Sequence, residues 1–224
     1  FVSIILHIET ATKNCSVALS KAGKILALVE KYSENYSHSE QLHLFIEKVL
    51  EKADLKISSI SAIAVSKGPG SFTGLRIGVA AAKGICYALN LPLIAINSLE
   101  ILAGKVKNID DGFIFPMLDA RRMEVYTMVL NHKKEVIKPT FAEVISESSF
   151  KSFSKEKKWI FIGAGINKCK KIIKSPNIDF KENLNFPSSR EMIPLAWKAF
   201  IEKKFENIAY FEPFYLKEFY NNLR

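Results

Sequence analysis

Cysteine is scarce in this chain, and what there is does not pair. Cys15, Cys86 and Cys169 are the only three in 224 residues, and no C-x-x-C spacing joins any two of them. That excludes a disulfide framework and a thiolate zinc site, and it fits a reducing, cytoplasmic setting. Glycine and proline number only ten and eight, so collagen-like and low-complexity classes fall away. No run reaches the roughly 18 consecutive apolar residues expected of a membrane span. The opening run Val2–Ile8 is shorter than a signal-peptide core and has no basic leader. Arginine is rare. The net charge of +9 comes mainly from dispersed lysines, with short clusters at 155–158 and 168–171. No arginine-rich helix or aromatic platform accompanies them, so the charge reads first as a lysine-rich surface. A direct nucleic-acid-binding module stays open as the alternative.

What is present is apolar patterning. Hydrophobic residues make up 48% of the chain, enough for one large or two small packed cores. Short β-branched runs predict strands at 3–8, 15–20, 24–31, 62–66 and 93–97. Leu42, Phe45, Ile46, Val49, Leu50 and Ala53 keep the i, i+3, i+4 rhythm of one helix face over 39–53, and further helices are expected at 75–89 and 99–106. The order is βββαβαβα. The second half predicts it again, with strands at 113–119, 124–131 and 135–137, a short helix at 147–153, a strand at 159–163, a helix at 167–174, a strand at 178–180 and a helix at 189–203. Ser188 and Glu191 have capping-box spacing for that last helix. Asp110-Asp111-Gly112 divides the chain into domains 1–109 and 110–224, with the last segment packing back on the first half. Two such units in tandem suggest an α/β protein with the duplicated ribonuclease-H-like fold of the actin/Hsp70/sugar-kinase superfamily.

The most informative stretch is Gly68-Pro69-Gly70-Ser71-Phe72-Thr73-Gly74-Leu75-Arg76, between a predicted strand and a predicted helix. Its glycines and proline mark a tight turn, Ser71 or Thr73 caps the helix, and backbone N–H groups at a helix start are able to hold an anion. It is no Walker A loop, because no G-K-[ST] ends it. In the helix that follows, Gly78 and Ala82, Ala80 and Gly84, and Gly84 and Ala88 each stand one turn apart. Small residues run almost all round it, which one sheet cannot cover, so the remainder is expected to meet a partner.

The stretch GPGSFTGLRIG resembles the signature of the bacterial TsaB (YeaZ) family. So do Leu6–Ala11, Cys15–Leu19, His38–Leu42, the block Leu118-Asp119-Ala120-Arg121-Arg122-Met123-Glu124-Val125-Tyr126, and Glu212-Pro213-Phe214-Tyr215-Leu216-Lys217, in that order. The family usually has Asp where Glu9 stands and Arg where Lys217 stands. The resemblance implies a non-catalytic subunit that pairs with TsaD. TsaE, an ATPase, joins them in the complex that installs threonylcarbamoyladenosine next to the anticodon of tRNA. No cofactor is expected on this chain alone; ATP and metal are implied for the partner subunits. Self-association through the same face is implied when TsaD is absent. The expected partner face comprises Leu42, Phe45, Ile46 and Val49 on one helix and Gly74, Arg76, Gly78 and Ala82 on the other.

A stand-alone ATP-dependent transferase is the other alternative. In the superfamily, ATP phosphates rest on two hairpin turns with an acid at each strand end and glycines in the turns. Here Glu9 and Asp119 supply the acids, but Thr10–Asn14 and Ala120–Met123 contain no glycine, so the acids read as vestigial. Gly163-Ala164-Gly165 stands where relatives contact adenosine. No metal site is expected. His38 and His43 lie five residues apart, about 140° around a helix, and cannot easily share one ion. Ser71 and Thr73 have no base nearby in sequence for nucleophilic catalysis.

Overall fold

In the computed structural model, which describes residues 3–34, 37–154 and 156–217, two five-stranded sheets repeat one topology. The first contains β1 (Ile4–Glu9), β2 (Asn14–Lys21), β3 (Lys24–Tyr32), β4 (Ala62–Gly68) and β5 (Leu93–Asn97), in the order β3-β2-β1-β4-β5. The second contains β6 (Phe113–Asp119), β7 (Glu124–Asn131), β8 (Val136–Val144), β9 (Trp159–Ile162) and β10 (Ile178–Lys181), in the order β10-β9-β6-β7-β8. Read from the antiparallel edge, each sheet runs third, second, first, fourth, fifth. The duplicated ribonuclease-H-like fold is therefore present, and the repeat lies in topology although no residue-level repeat is visible.

The central strands explain the layers. β1 is buried along its whole length, as a strand covered on both faces must be. Ile4, Leu6 and Ile8 face a core shared with α1 (His38–Lys52) and α2 (Phe72–Leu89), where Leu42, Phe45, Val49, Val79, Ala82 and Cys86 meet them. Ile5 faces the other way, with Ala62, Ala64 and Ile94. That second face is covered by α5 (Ser189–Ile201), through Met192 and Ala196, although α5 follows the second sheet in sequence. The converse holds for α3 (Ser98–Ala103). Its Leu99, Leu102 and Ala103 pack on Ile114, Leu118, Met128 and Ile160 of the second sheet. Each half thus lends a helix to the other's sheet. The far face of the second sheet is closed by an aromatic cluster, Phe115, Phe150, Trp159 and Phe161, with α4 (Ile166–Lys170) alongside.

Three local expectations are corrected. Residues 147–153 form turns instead of a helix. Ser146 N–H donates to Ser149 Oγ at 3.0 Å, and Phe150 adopts φ 63° with its ring in the aromatic core. Serines that bond nearby backbone favour turns over helix. β8 runs to Val144, well past residue 137, because its Pro139 lies on an edge strand, where a missing N–H is tolerated. The last helix is capped by Ser188 Oγ accepting from Arg190 N–H at 3.3 Å, but Glu191 turns instead to Lys105, 3.6 Å away.

α2 is long and apolar enough to cross a membrane by length and composition alone. Its small residues account for that, and its inner face lies in the core instead. Gly74 and Gly78 are buried there because a Cβ at either position would overlap Thr10, meeting its carbonyl oxygen or its hydroxyl. Gly84, on the outer side, has nothing within 4 Å of such a Cβ. Gly78→Val should therefore lower the denaturant midpoint by an amount equivalent to about 2–3 kcal/mol from overpacking. Gly84→Ala should raise stability by about 1 kcal/mol, the helix-propensity difference. Equilibrium urea unfolding of the two variants checks both signs.

Candidate functional site

The strand ends that would carry a ligand between the halves are those of β1, β4, β6 and β9. At the first, Glu9 is fully buried and its Oε1 accepts from Ala11 N–H at 2.7 Å, which curls the β1–β2 turn around its own carboxylate. Thr10 N–H donates to Ser66 Oγ at 3.3 Å. Ala11 O accepts from Ser71 N–H at 2.7 Å, and Ser71 Oγ caps α2 by accepting from Gly74 N–H at 3.2 Å. Gly70 and Gly74 lack the Cβ atoms that would collide with Ala11 O and Thr10 O. The helix start that looks from sequence like an anion site is thus packed directly against the carbonyls of the first hairpin turn. Its partial positive charge is met by peptide dipoles from the same chain.

The second turn is filled by a cation. Lys168 Nζ donates to Asp119 Oδ1 at 2.9 Å, Arg121 O at 3.1 Å and Glu124 O at 2.8 Å, using all three ammonium donors. Asp119 also accepts from Arg121 N–H at 2.7 Å, and Arg121 and Arg122 take left-handed backbone at φ 67° and 44°. The third turn is satisfied too. Gly163 N–H donates to Leu184 O at 2.8 Å, Ala164 N–H to Asn185 O at 3.1 Å and Gly165 N–H to Met117 O at 3.1 Å. Between the halves, Ser16 Oγ bonds Glu30 Oε2 at 2.9 Å and Ser189 Oγ at 2.7 Å, and Ser188 Oγ donates to Glu30 at 2.5 Å. Burial opposes ionisation of Glu30, but Ser188, Ser16 and Asn14 outweigh it and hold its pKa below the usual value. At these turns the Ala11, Ser71, Gly163, Ala164 and Gly165 N–H groups and the Asp119 carboxylate already have partners within the chain.

His38 belongs to this scaffold. Its Nε2 lies 2.7 Å from Thr12 O, tying α1 to the first turn, and burial lowers its pKa. His43 is exposed, and among the described residues no group of three His, Cys, Asp or Glu could hold a metal. The partner face expected from sequence needs correction. Leu42, Phe45, Ile46, Val49, Gly74, Gly78 and Ala82 are all buried in the protein's own core. Of that set only Arg76 is exposed, beside Ala80, Gly84, Tyr87 and Ala88 on the outer side of α2. Leu44 and Tyr87, half and 86% exposed, are the large apolar groups these helices present outward. Sequence reasoning missed Lys168, Glu30 and the Ser188–Ser189 pair, whose partners lie 14 to 173 residues away.

Residues 33–219 match the family model described as TsaD: tRNA N6-adenosine threonylcarbamoyltransferase. The chain is similar to the tRNA threonylcarbamoyladenosine biosynthesis protein TsaB of Escherichia coli K12, at 30% identity over 225 residues, 95% of this chain and 94% of that one. The protein of the same name from Buchnera aphidicola subsp. Baizongia pistaciae is 31% identical over 221 residues, covering 96% and 98%. Among solved structures, YeaZ from Pseudomonas aeruginosa aligns with a TM-score of 0.83 over 96% of this chain and 100% of that chain. At 24% identity, that likeness speaks to fold alone.

Burial makes Glu9 a pH-sensitive member of the site. Removal from water pushes its pKa from 4.5 to about 7, against the Ala11 and Ser66 hydrogen bonds that favour the carboxylate. Between pH 4.5 and 7 the unfolded chain has lost this proton while the native chain keeps it, so Glu9 costs stability as pH rises. The cost across that window is about 3 kcal/mol. His7 acts in the opposite sense: buried neutral with a pKa lowered from 6.5 to about 3, it costs stability as pH falls. Glu9→Gln should remove the loss on the alkaline side and leave the His7 effect in place. Unfolding free energies of both proteins from pH 4.5 to 7 give the comparison, and parallel curves would reject a proton on Glu9.

Proposed function

Because this chain belongs to the family that the TsaD model describes, and stands within it among the TsaB proteins, we propose that it is a non-catalytic subunit in tRNA threonylcarbamoyladenosine biosynthesis. One observation carries the non-catalytic reading. The turns that would cradle a nucleotide have partners within the chain itself: Ser71 N–H donates to Ala11 O, Gly163 and Ala164 N–H donate to Leu184 O and Asn185 O, and the Asp119 carboxylate accepts from Lys168. No cofactor is held here, and the ATP and metal chemistry belongs to partner subunits.

What the chain supplies is surface. The outer side of α2, from Arg76 through Ala80 and Gly84 to Tyr87, is lined by small residues between a cation and an exposed aromatic ring. Small side chains let a second helix approach closely, and an exposed aromatic is a common anchor at interfaces. This face, with Leu44 of α1, receives TsaD. TsaE and tRNA join through that complex, in the cytoplasm, and a second copy of this chain takes the same face when TsaD is absent.

The reading is tested by reconstitution with the cognate TsaD, TsaE and the enzyme that makes the threonylcarbamoyl-adenylate, scoring transfer to tRNA. Modification should require this chain and should survive Asp119→Ala and Glu9→Gln within about twofold, since neither carboxylate reaches a substrate. Ala80→Glu should melt like the parent and Gly84→Glu at or above it, yet both should weaken TsaD binding at least tenfold, about 1.4 kcal/mol or more. Loss of transfer at Asp119 with the complex still assembled would show a working nucleotide site and sink the non-catalytic assignment.

A further inference from the structure

The packing of the three turns does not account for the motif Glu212-Pro213-Phe214-Tyr215-Leu216-Lys217, which touches both halves. After α5 the chain turns at Lys203, and Glu206 N–H donates to Leu93 O at 2.8 Å on the edge of β5. Lys83 of α2 then reaches over the strap to the carbonyls of Phe211 at 3.0 Å and Ala209 at 3.5 Å. Phe214 N–H donates to Lys67 O at 2.6 Å, and the Phe214 carbonyl lies against Gly68, where any Cβ would strike it. The Tyr215 ring packs on Phe72 with centroids 4.8 Å apart. Its hydroxyl accepts from Arg76 Nε at 3.3 Å, and the Arg76 guanidinium lies 4.3 Å from the centre of the Phe72 ring. Lys217 pairs with Glu124 of the second sheet.

We propose that Tyr215 is a positioning residue for the partner face, holding Arg76 and the first turn of α2 in binding geometry from a strap anchored on both halves. This rests on the reading that the outer side of α2 receives TsaD. A free arginine samples many rotamers, and a partner must stop that motion on docking. Here a phenol oxygen and an aromatic face already restrict Arg76 in the unbound chain, and Lys67, Lys83 and Glu124 fix the strap that brings the phenol there. The surface the partner meets is therefore built from residues 139 apart in sequence.

The test uses the full-length chain in four forms, parent, Arg76→Ala, Tyr215→Phe and the double variant, with TsaD binding measured for each. Tyr215→Phe keeps the ring and removes only the acceptor. Arg76→Ala should weaken binding about tenfold and Tyr215→Phe about threefold, and the double variant should be no weaker than Arg76→Ala alone, the signature of two residues acting as one. Hydrogen exchange on free Tyr215→Ala should show residues 68–76 exchanging faster while β1 and β4 keep their protection. If Arg76→Ala weakens binding and Tyr215→Phe does not, or if the two losses add in full, the strap has no positioning role. If Arg76→Ala binds normally, the partner face itself is wrongly placed, and the proposal falls with it.

Discussion

The packing of one helix start on one hairpin turn governs this molecule. Ser71 N–H meets Ala11 O, and Gly70 and Gly74 stand where any side chain would hold the two segments apart. Backbone approaching backbone at this range has no soft component that could yield, so the contact sets the position of α2 against β1. α1 is drawn to the same point by His38, whose ring reaches Thr12 O. The strap then closes over the loop from outside through Phe214 and Lys67. The glycine-rich signature is thus first a packing device. It shares glycines and a helix start with anion-binding loops, while its Gly70 and Gly74 face the carbonyls of Ala11 and Thr10.

The same economy runs through the acids near these turns. An acid at a strand end is costly to bury, and the fold manages its two acids differently. Glu9 is closed off and keeps a proton near neutrality, with only one oxygen bonded to Ala11. Asp119 stays half exposed and is neutralised by Lys168, which also secures two carbonyls of the turn. Glu30 lies near the start of α5, with hydroxyls from both halves on its carboxylate.

Much of the fold was legible because the strands follow burial so closely. Apart from His7, Ile4–Ile8, Ala62–Val65 and Leu93–Ile96 are apolar on both faces, which only central or covered strands sustain. The glycine loop announced the turn and Ser71 its cap. The partner face was misread for a definable reason. A 3.6-residue period shows that Leu42, Phe45, Ile46 and Val49 share a side, but not whether that side meets the protein's own sheet or another molecule. Gly78 looked like room for a partner helix and is room for the Thr10 hydroxyl. Lys168 could not be singled out among so many lysines, since only the fold brings it to Asp119, 49 residues away.

The exchange of helices between the halves has a further consequence. α3 keeps Ile101 against the first sheet but turns Leu99, Leu102 and Ala103 onto Ile114, Leu118 and Ile160, and α5 crosses from the second half to cover Ile5, Ala62 and Ile94. Neither sheet can bury its inner face with the helices of its own half. The duplication seen in the topology is therefore no longer a pair of folding units. Severed at the Asp110–Gly112 junction, each fragment would expose a β-sheet face made of isoleucine, leucine and alanine. The packing makes the two halves share one interior, so they are expected to fold and unfold as one cooperative body.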